Sequence, residues 1–529
     1  MCSQDELKMR KICDLPISRE RRRKRDRVGM YTIVQVSQKS STTTLNSKKK
    51  SMSLQRHQGS METGGILALL PSLAGVFILV CALLAKRGFR GRATTAGIDL
   101  GTTNSVVCVQ SPSKSVGDIT CIVDPNSNSS IIPSVISFLE PSERPPVFVK
   151  SKSKLVPPPS HVVVGQAAKK RIDSHPHQTL YHAKRLLGRR GVDQVLKSMQ
   201  EEVDFEIVAN DDDTIGMVVS HDHTFLSLSP SQVGSYVVNY MMEITHRFLG
   251  HENVKSAVIC VPAKFDANQR KETVRAFSDA GIKVTRILEE PAAAALAYGL
   301  HKKEGVEFIL VYDFGGGTLD VSLLHVTEGF ADVMGSDGDN RLGGADFDDA
   351  IAKLLQRQIN VNQVSNALKE LYSVDLDLEA ELEKKCPILS VTPLCTLSSL
   401  HTISEKLKIK LSSDEKRVES SCLTTTLDSK PNSLDHFCSS LQSVSIVLTR
   451  DQFNEAVQPL FERAVLPIRR LLKDLTLEPK EIHEVVMVGG TTRMPQIREL
   501  VKKEMQTESL NTHIDPDITV AYGAASVID

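Results

Sequence analysis

Two short segments of this 529-residue chain carry the same groups suited to gripping anionic oxygens. Ala96–Val109 (AGIDLGTTNSVVCV) and Leu310–Leu324 (LVYDFGGGTLDVSLL) share one plan: an apolar strand ending in aspartate, a tight Gly/Thr turn, and a second apolar strand. Each reads as a β-hairpin whose turn exposes backbone N–H groups, a nest for phosphate oxygens. Gly101, Gly315, Gly316 and Gly317 permit backbone angles that other residues resist and let a ligand approach closely. Thr102, Thr103 and Thr318 add hydroxyl donors. Asp99 and Asp313 would be repelled by phosphate unless a cation stood between, so an acid beside such a nest points to Mg2+ held largely through water. Either turn alone is an ordinary hairpin. Two in matching strand contexts indicate a duplicated α/β unit with a cleft between its halves. A third element, Val485–Pro495 (VVMVGGTTRMP), reads as a strand, a Gly489-Gly490 turn and a helix running to about Glu504, which puts bare backbone and a helix N-terminus beside a ligand.

The elements that must position these turns alternate between β-rich runs and helical spacing from Thr94 onward, an α/β texture. Val135–Leu139 and Ile309–Tyr312 read as strands, Leu354–Leu371 and Gln452–Leu472 as helices. Lys150–Ser160, with three consecutive prolines, reads as a surface loop. The stretches 373–400 and 412–443 read as insertions or loops. Apolar residues at 41% and charged residues at 24% exclude a multi-pass membrane protein and a wholly disordered chain. The formal net charge is zero, yet residues 1–63 hold 15 basic and 6 acidic side chains, which leaves the body acidic and argues against nucleic acid as a partner. Residues 1–63 read as a disordered, solvated basic N-terminal extension. Residues 64–85 are uncharged, long enough to span a hydrocarbon core, and followed by Lys86, Arg87, Arg90 and Arg92. They read as a signal-anchor or transmembrane helix, with basic residues on both sides leaving its orientation open. Ten cysteines without a CxxC pair do not make a disulfide framework or a zinc ribbon. They read as isolated buried thiols, with Cys386–Cys395 or Cys422–Cys438 as the pairs an oxidising lumen would favour. Asn128-Ser129-Ser130 is an N-x-[ST] sequon, whose glycosylation would require lumenal exposure.

Six segments in order, GIDLGTTNS, VPAKFDANQR (Val261–Arg270), ILEEPAAAALAYGL (Ile287–Leu300), DFGGGTLDVS, RLGGADFD and VGGTTRMP, make residues 94–529 resemble the ATPase domain of the 70-kDa heat-shock chaperone family. That resemblance implies a duplicated actin-like (ribonuclease H-like) α/β fold, two lobes around a nucleotide cleft, with ATP/ADP and Mg2+ as cofactors. By matching position it implies that Asp99, Gly101, Thr102 and Thr103 form the first phosphate loop. Asp313, Gly315, Gly316, Gly317 and Thr318 form the second, and Asp99 and Asp313 hold the metal through water. Lys184, in AKRLLGR, matches the lysine that contacts the transferred phosphate and the attacking water. Glu290 matches the acid that orients solvent and metal, and Asp320 a carboxylate able to accept the proton. Gly343 and Gly344 approach the phosphates or ribose, Glu405 and Lys408 match groups on the ribose, and Gly489, Gly490, Thr491, Arg493 and Asp517 surround adenosine. Hydrolysis of a γ-phosphate needs placed charge, an aligned water and a metal more than covalent help, so the set is chemically coherent.

The chain also departs from the family pattern. Ile409 stands where most members carry a basic residue on adenine, which predicts weaker nucleotide affinity. Asn104 replaces an aromatic after the first loop, and 373–400 is longer than its counterpart. The resemblance implies J-domain proteins and nucleotide-exchange factors as partners. A hydrophobic segment ahead of an ATPase unit, with no peptide clamp before Asp529, resembles the microsome-associated branch of the family. The expectation is an endoplasmic-reticulum protein, attached to the membrane through 64–85, whose ATP turnover is independent of peptide. The alternative is a non-enzymatic nucleotide-gated adaptor or co-chaperone scaffold. A sugar kinase shares the fold but would need a sugar pocket, for which no motif is found.

Overall fold

The computed structural model describes residues 93–528 apart from 111–117, 145–154, 173–174, 192–193, 201–202, 211, 223, 360–363, 365–384, 414 and 426–432. The basic extension, the hydrophobic segment 64–85 and residues 150–154 of the Lys150–Ser160 loop thus lie outside the described residues. No described helix is long and apolar enough to cross a membrane.

Two sheets built on one plan carry the two turns. In the first, β1 (Thr95–Asp99) runs parallel to β11 (Ser256–Val261) and antiparallel to β2 (Asn104–Gln110), with β3 (Ile119–Cys121) beyond β2, β12 (Lys283–Glu289) beyond β11, and β4 (Ile132–Pro133) also on β2. In the second, β13 (Phe308–Phe314) runs parallel to β18 (Glu484–Val488) and antiparallel to β14 (Leu319–Thr327), with β15 (Phe330–Asp339) outermost. The orders β11-β1-β2-β3 and β18-β13-β14-β15 correspond strand for strand. Each central strand is apolar along its length because both faces are covered, and each carries its aspartate at the turn end, Asp99 last in β1 and Asp313 next to last in β13. Smaller sheets flank this frame: β5 (Ile136–Phe138) with β6 (Val162–Val164) and β7 (Thr179–Leu180), β8 (Ile207–Ala209) with β9 (Ile215–His221) and β10 (Thr224–Leu228), and the pair β16 (Arg417–Thr425) and β17 (Leu441–Thr449).

Among the described residues the helices are α1 (Gln166–Lys169), α2 (Gln194–Gln200), α3 (Pro230–Leu249), α4 (Ala267–Asp279), α5 (Glu290–Ala297), α6 (Gly344–Gln356), α7 (Leu397–Leu411), α8 (Leu434–Ser439), α9 (Arg450–Asp474), α10 (Pro495–Met505) and α11 (Thr519–Ser526). Capping boxes start three of the long ones, Ser229/Gln232 at α3, Asp266/Gln269 at α4 and Thr449/Gln452 at α9. One apolar core fills the first lobe around Ile98, Val107, Phe138, Met241 and Phe277, and another fills the second around Tyr312, Phe314, Phe347, Phe453 and Val485. A third joins the sheets through α5 and α11, whose alanines pack between Val258 of β11 and Ile309, Val311 and Val486 of the second sheet. Small side chains are required there: a Cβ on Gly523 would sit 1.8 Å from the Ala293 carbonyl oxygen, and one on Gly97 2.3 Å from the Ala525 nitrogen.

Three expectations need correction. The stretch 412–443 is not loop throughout, since it holds β16, α8 and the start of β17; its Ser/Thr-rich strand forms a two-stranded ladder whose polar side faces outward, which hides the apolar signal. The helix expected to begin at Leu354 begins ten residues earlier, at Gly344, because Gly343 caps it and the Gly343 N–H donates to Asp346 at 2.7 Å; it ends at Gln356, and most of the rest of 354–371 lies outside the described residues. The cysteines are not isolated. Cys108–Cys121, Cys386–Cys438 and Cys395–Cys422 are disulfides, and Cys260 is the one free thiol among the described residues. Neither pairing suggested by spacing occurs, because residues 393–395 run alongside β16, with Cys395 N–H bonded to Leu423 O and Leu423 N–H to Pro393 O, both at 2.8 Å. That contact sets Cys395 beside Cys422 and leaves Cys386 to reach Cys438 on α8.

Candidate nucleotide site

The first turn is anchored by serine hydroxyls. Gly101 N–H donates to Ser105 Oγ at 3.2 Å, Ser134 Oγ donates to Gly101 O at 2.9 Å, and Ser134 N–H donates to Thr103 O at 2.8 Å. In the second turn every glycine carbonyl is held from outside. Gly315 O accepts from Gly344 N–H (3.1 Å) and Thr491 Oγ1 (2.9 Å), Gly316 O from Ala345 N–H (2.9 Å), and Gly317 O from Arg185 (2.9 Å). In a trans peptide the amide points opposite its carbonyl, so these contacts turn the N–H groups of residues 316–318 to the other side, as an anion nest requires.

The two turns meet. A Cβ on Gly316 would lie 2.9 Å from Thr103 Oγ1, and Gly343, at the start of α6, is packed so tightly that its Cβ would fall 2.3 Å from Gly317 N. The glycine requirement here is close approach rather than unusual backbone angle. Of the glycines expected in the site only Gly489 has positive φ, +82°, and a Cβ there would also strike Phe314 O at 2.4 Å. Gly101 is needed because its Cβ would overlap Asn104 O at 1.9 Å, whereas Gly315 has ordinary space around it.

Beneath the turns lies a cluster of acids with a lysine among them. Lys184, in a 3-10 turn at Ala183–Arg185, is buried, with Nζ 2.7 Å from Glu290 Oε1 and 3.7 Å from Asp99 Oδ1. Asp313 and Asp320 are directly opposed in the β13–β14 ladder, so their side chains share one face. With Lys264 and Glu290 they line a cavity. Burial pushes Asp99 up to about 6 against the opposing pull of Lys184, with Glu290 adding to the rise. Burial, then Glu290, pushes Asp320 up to about 6, while Lys264, Lys184 and a Thr318 hydrogen bond pull it back. Asp313 is raised well above the carboxylate range by burial and by Glu290, Asp320 and Asp99. Burial works against the Lys184 ammonium, yet Glu290 and Asp99 hold it charged above the ordinary lysine value. Four acids around one buried ammonium are short of positive charge, and Asp99 Oδ1 is buried without a hydrogen-bond donor. A divalent cation fits this donor set, with Asp99 and Asp313 placed to hold its waters.

The remaining expected residues lie around this centre. Thr491 bonds the second turn directly. Arg493 donates to Asp517 Oδ2 (2.8 Å) and pairs with Asp515, and a Cβ on Gly490 would sit 2.9 Å from Asp517 Oδ1, so these form one packed corner. Glu405 and Lys408, one turn apart on α7, are both engaged with protein: Glu405 pairs with Lys169 of α1 at 3.2 Å, and Lys408 Nζ donates to Gly344 O and Asp348 Oδ2, each at 2.8 Å. Ile409 is 61% exposed. Sequence reasoning missed Arg185, Lys264, Lys169 and the Ser105–Ser134 anchor. Arg185 adjoins Lys184 and Lys264 lies within VPAKF, so only membership in a longer motif marked them.

Residues 95–528 match the family model described as "Hsp70 protein". The chain belongs to the Hsp70 family. It is 33% identical over 436 residues to heat shock cognate 70 kDa protein 3 of Dictyostelium discoideum, covering 82% of this chain and 59% of that protein. It is 34% identical over 436 residues to chaperone protein DnaK of Thermus thermophilus (82% and 60%) and 35% identical over 434 residues to heat shock 70 kDa protein of Emericella nidulans (82% and 58%). The chain thus spans about three fifths of the length of these curated relatives. As an Hsp70 family member it has the actin-like two-lobe fold, and the paired sheets and facing turns are that fold's two halves.

Proposed function

We propose that this cleft binds ATP with Mg2+ and hydrolyses the γ-phosphate, giving ADP and phosphate, as the ATPase unit of a chaperone. The observation that carries the reading is the meeting of the two glycine turns above Lys184 and its ring of acids. The amides of the second turn and the Thr102, Thr103 and Thr318 hydroxyls bind phosphate oxygens. The Lys184 ammonium sits where it offsets charge that develops on the transferred group, and Glu290 fixes its position. Asp320, titrating near 6, is poised to accept a proton from an attacking water. Bound Mg2+ would supply charge neutralisation between the phosphate oxygens and the acids at 99 and 313. The test is γ-phosphate release by purified 94–529 with Mg2+, beside Asp313→Ala. Nucleotide binding without release in a well-folded sample would favour the adaptor reading, which the exposed Ile409 supports.

The reading extends to an oxidising compartment, the lumen of the endoplasmic reticulum, with 64–85 as the membrane segment. Three disulfides support it, since such bonds persist in secretory compartments and are rare in the cytosol. This corresponds to the microsome-associated branch of the family. J-domain proteins and nucleotide-exchange factors are the proposed partners, and for 94–529 tested alone turnover unaffected by added peptide is the expected result. Protease protection of the full chain in microsomes tests the location.

A further inference from the structure

The turn at residues 124–130 is built inward from Asp124. That side chain is buried and accepts from Tyr240 OH (2.8 Å), from Asn126 N–H (2.9 Å) and from Ser127 Oγ (3.1 Å). The backbone closes over it: Asp124 N–H donates to Ser129 O and Asn128 N–H to Asp124 O, both at 2.8 Å. Asn126 is tied into the network through Nδ2 to Tyr240 OH at 2.9 Å. Asn128 differs. Its φ of +53°, a backbone region that asparagine tolerates better than most residues, sits at the apex of the turn, and its side chain is exposed and makes no hydrogen bond among the described residues. Asn128-Ser129-Ser130, followed by Ile131, is the sequon. The turn directly follows β3, whose Cys121 is disulfide-bonded to Cys108. An acceptor asparagine and a disulfide therefore occupy one short surface segment.

We propose that Asn128 is an N-glycosylation site whose carbohydrate projects from the Asp124–Ser130 turn. Asn128 Nδ2 forms a C–N bond to the anomeric carbon of an oligosaccharide carried on a polyprenyl diphosphate. The anomeric C–O bond breaks, the polyprenyl diphosphate leaves with the electron pair, and the amide loses one proton. Folding tolerates the addition because the substituted nitrogen gives up no internal hydrogen bond and the turn is secured through Asp124, Asn126 and Ser127. The inference rests on the lumenal reading, and the experiment keeps the two separable.

The full chain is expressed in cells with a secretory pathway and treated with peptide-N-glycosidase. The expected result is a band that moves to lower mass on treatment, with Asn128 recovered as aspartate by mass spectrometry. The shift is lost in Asn128→Gln and Ser130→Ala and kept in Ser130→Thr. A chain that is protease-protected in microsomes, carries its disulfides and shows no shift overturns the glycosylation alone. A chain that is protease-accessible, reduced and unshifted overturns the lumenal reading and the glycosylation with it.

Discussion

Replacing Lys184 with alanine removes the ammonium that lies 2.7 Å from Glu290 and 3.7 Å from Asp99 and faces the phosphate turns. Two effects follow, and they differ in size between assays. Loss of one preorganised charged donor to a developing anion costs about 10²–10³-fold in rate, ~3–4 kcal/mol. Leaving two acids without their cation would cost about 3–5 kcal/mol of stability if both stayed ionised. Asp99 already titrates near 6, so protonation relieves part of that cost and the fold survives. Nucleotide binding should change far less than turnover, because the second-turn amides and the Thr491–Gly315 contact are untouched. The assay is single-turnover hydrolysis of γ-labelled ATP beside calorimetric binding of Mg·ADP, with Lys184→Arg as a partner that keeps charge but not shape. If Lys184→Ala bound nucleotide and hydrolysed it within about tenfold of the wild type, less than 1.4 kcal/mol would be lost and the assigned role would be wrong.

The raised carboxyls predict a pH signature in the nucleotide-free protein. A carboxyl titrating near 6 when folded and at 3.8 when unfolded binds more protons in the native state, so its contribution to stability falls as pH rises from about 4 through 6. Wild type and Asp320→Asn should therefore be about equally stable at pH 4, with the variant about 3 kcal/mol more stable at pH 7 by urea unfolding; a variant less stable at pH 7 contradicts this. Gly343→Ala drives a methyl to 2.3 Å from the Gly317 nitrogen and should weaken Mg·ADP binding by at least about tenfold, ~1.4 kcal/mol, by calorimetry, with the circular dichroism spectrum retained. Cys395→Ser with Cys422→Ser opens a bond closing 27 residues and should cost about 3 kcal/mol in urea unfolding. Peptide maps of non-reduced wild type should show 395–422 and 386–438; a 386–395 peptide would refute the pairing.

The two hairpins were legible because strand, acid, glycine turn and strand are contiguous, and antiparallel register alone puts Asp313 and Asp320 on one face. The third element was legible for the same reason, although a 3-10 turn at Gly490–Arg493 separates strand from helix. Lys184 and Glu290 were legible only through longer motifs, since a lone lysine or a helix-opening glutamate is most often a solvated or dipole-favoured group. The glycine requirement was legible only in part: local sequence suggests conformational freedom and room for a ligand, but at Gly343 and Gly316 the space is taken by chain segments arriving from elsewhere.

Sequence by itself determined the duplicated strand–turn–strand units, the identities of the acids beside them and the family, because those depend on residue types at short separations. Only tertiary structure decided that Thr103 meets Gly316, that Arg185 reaches Gly317, that Lys169 reaches Glu405 and which cysteines pair. These contacts join residues from 13 to 236 positions apart, and their partners are selected by how the sheets and helices pack rather than by anything in the neighbouring sequence.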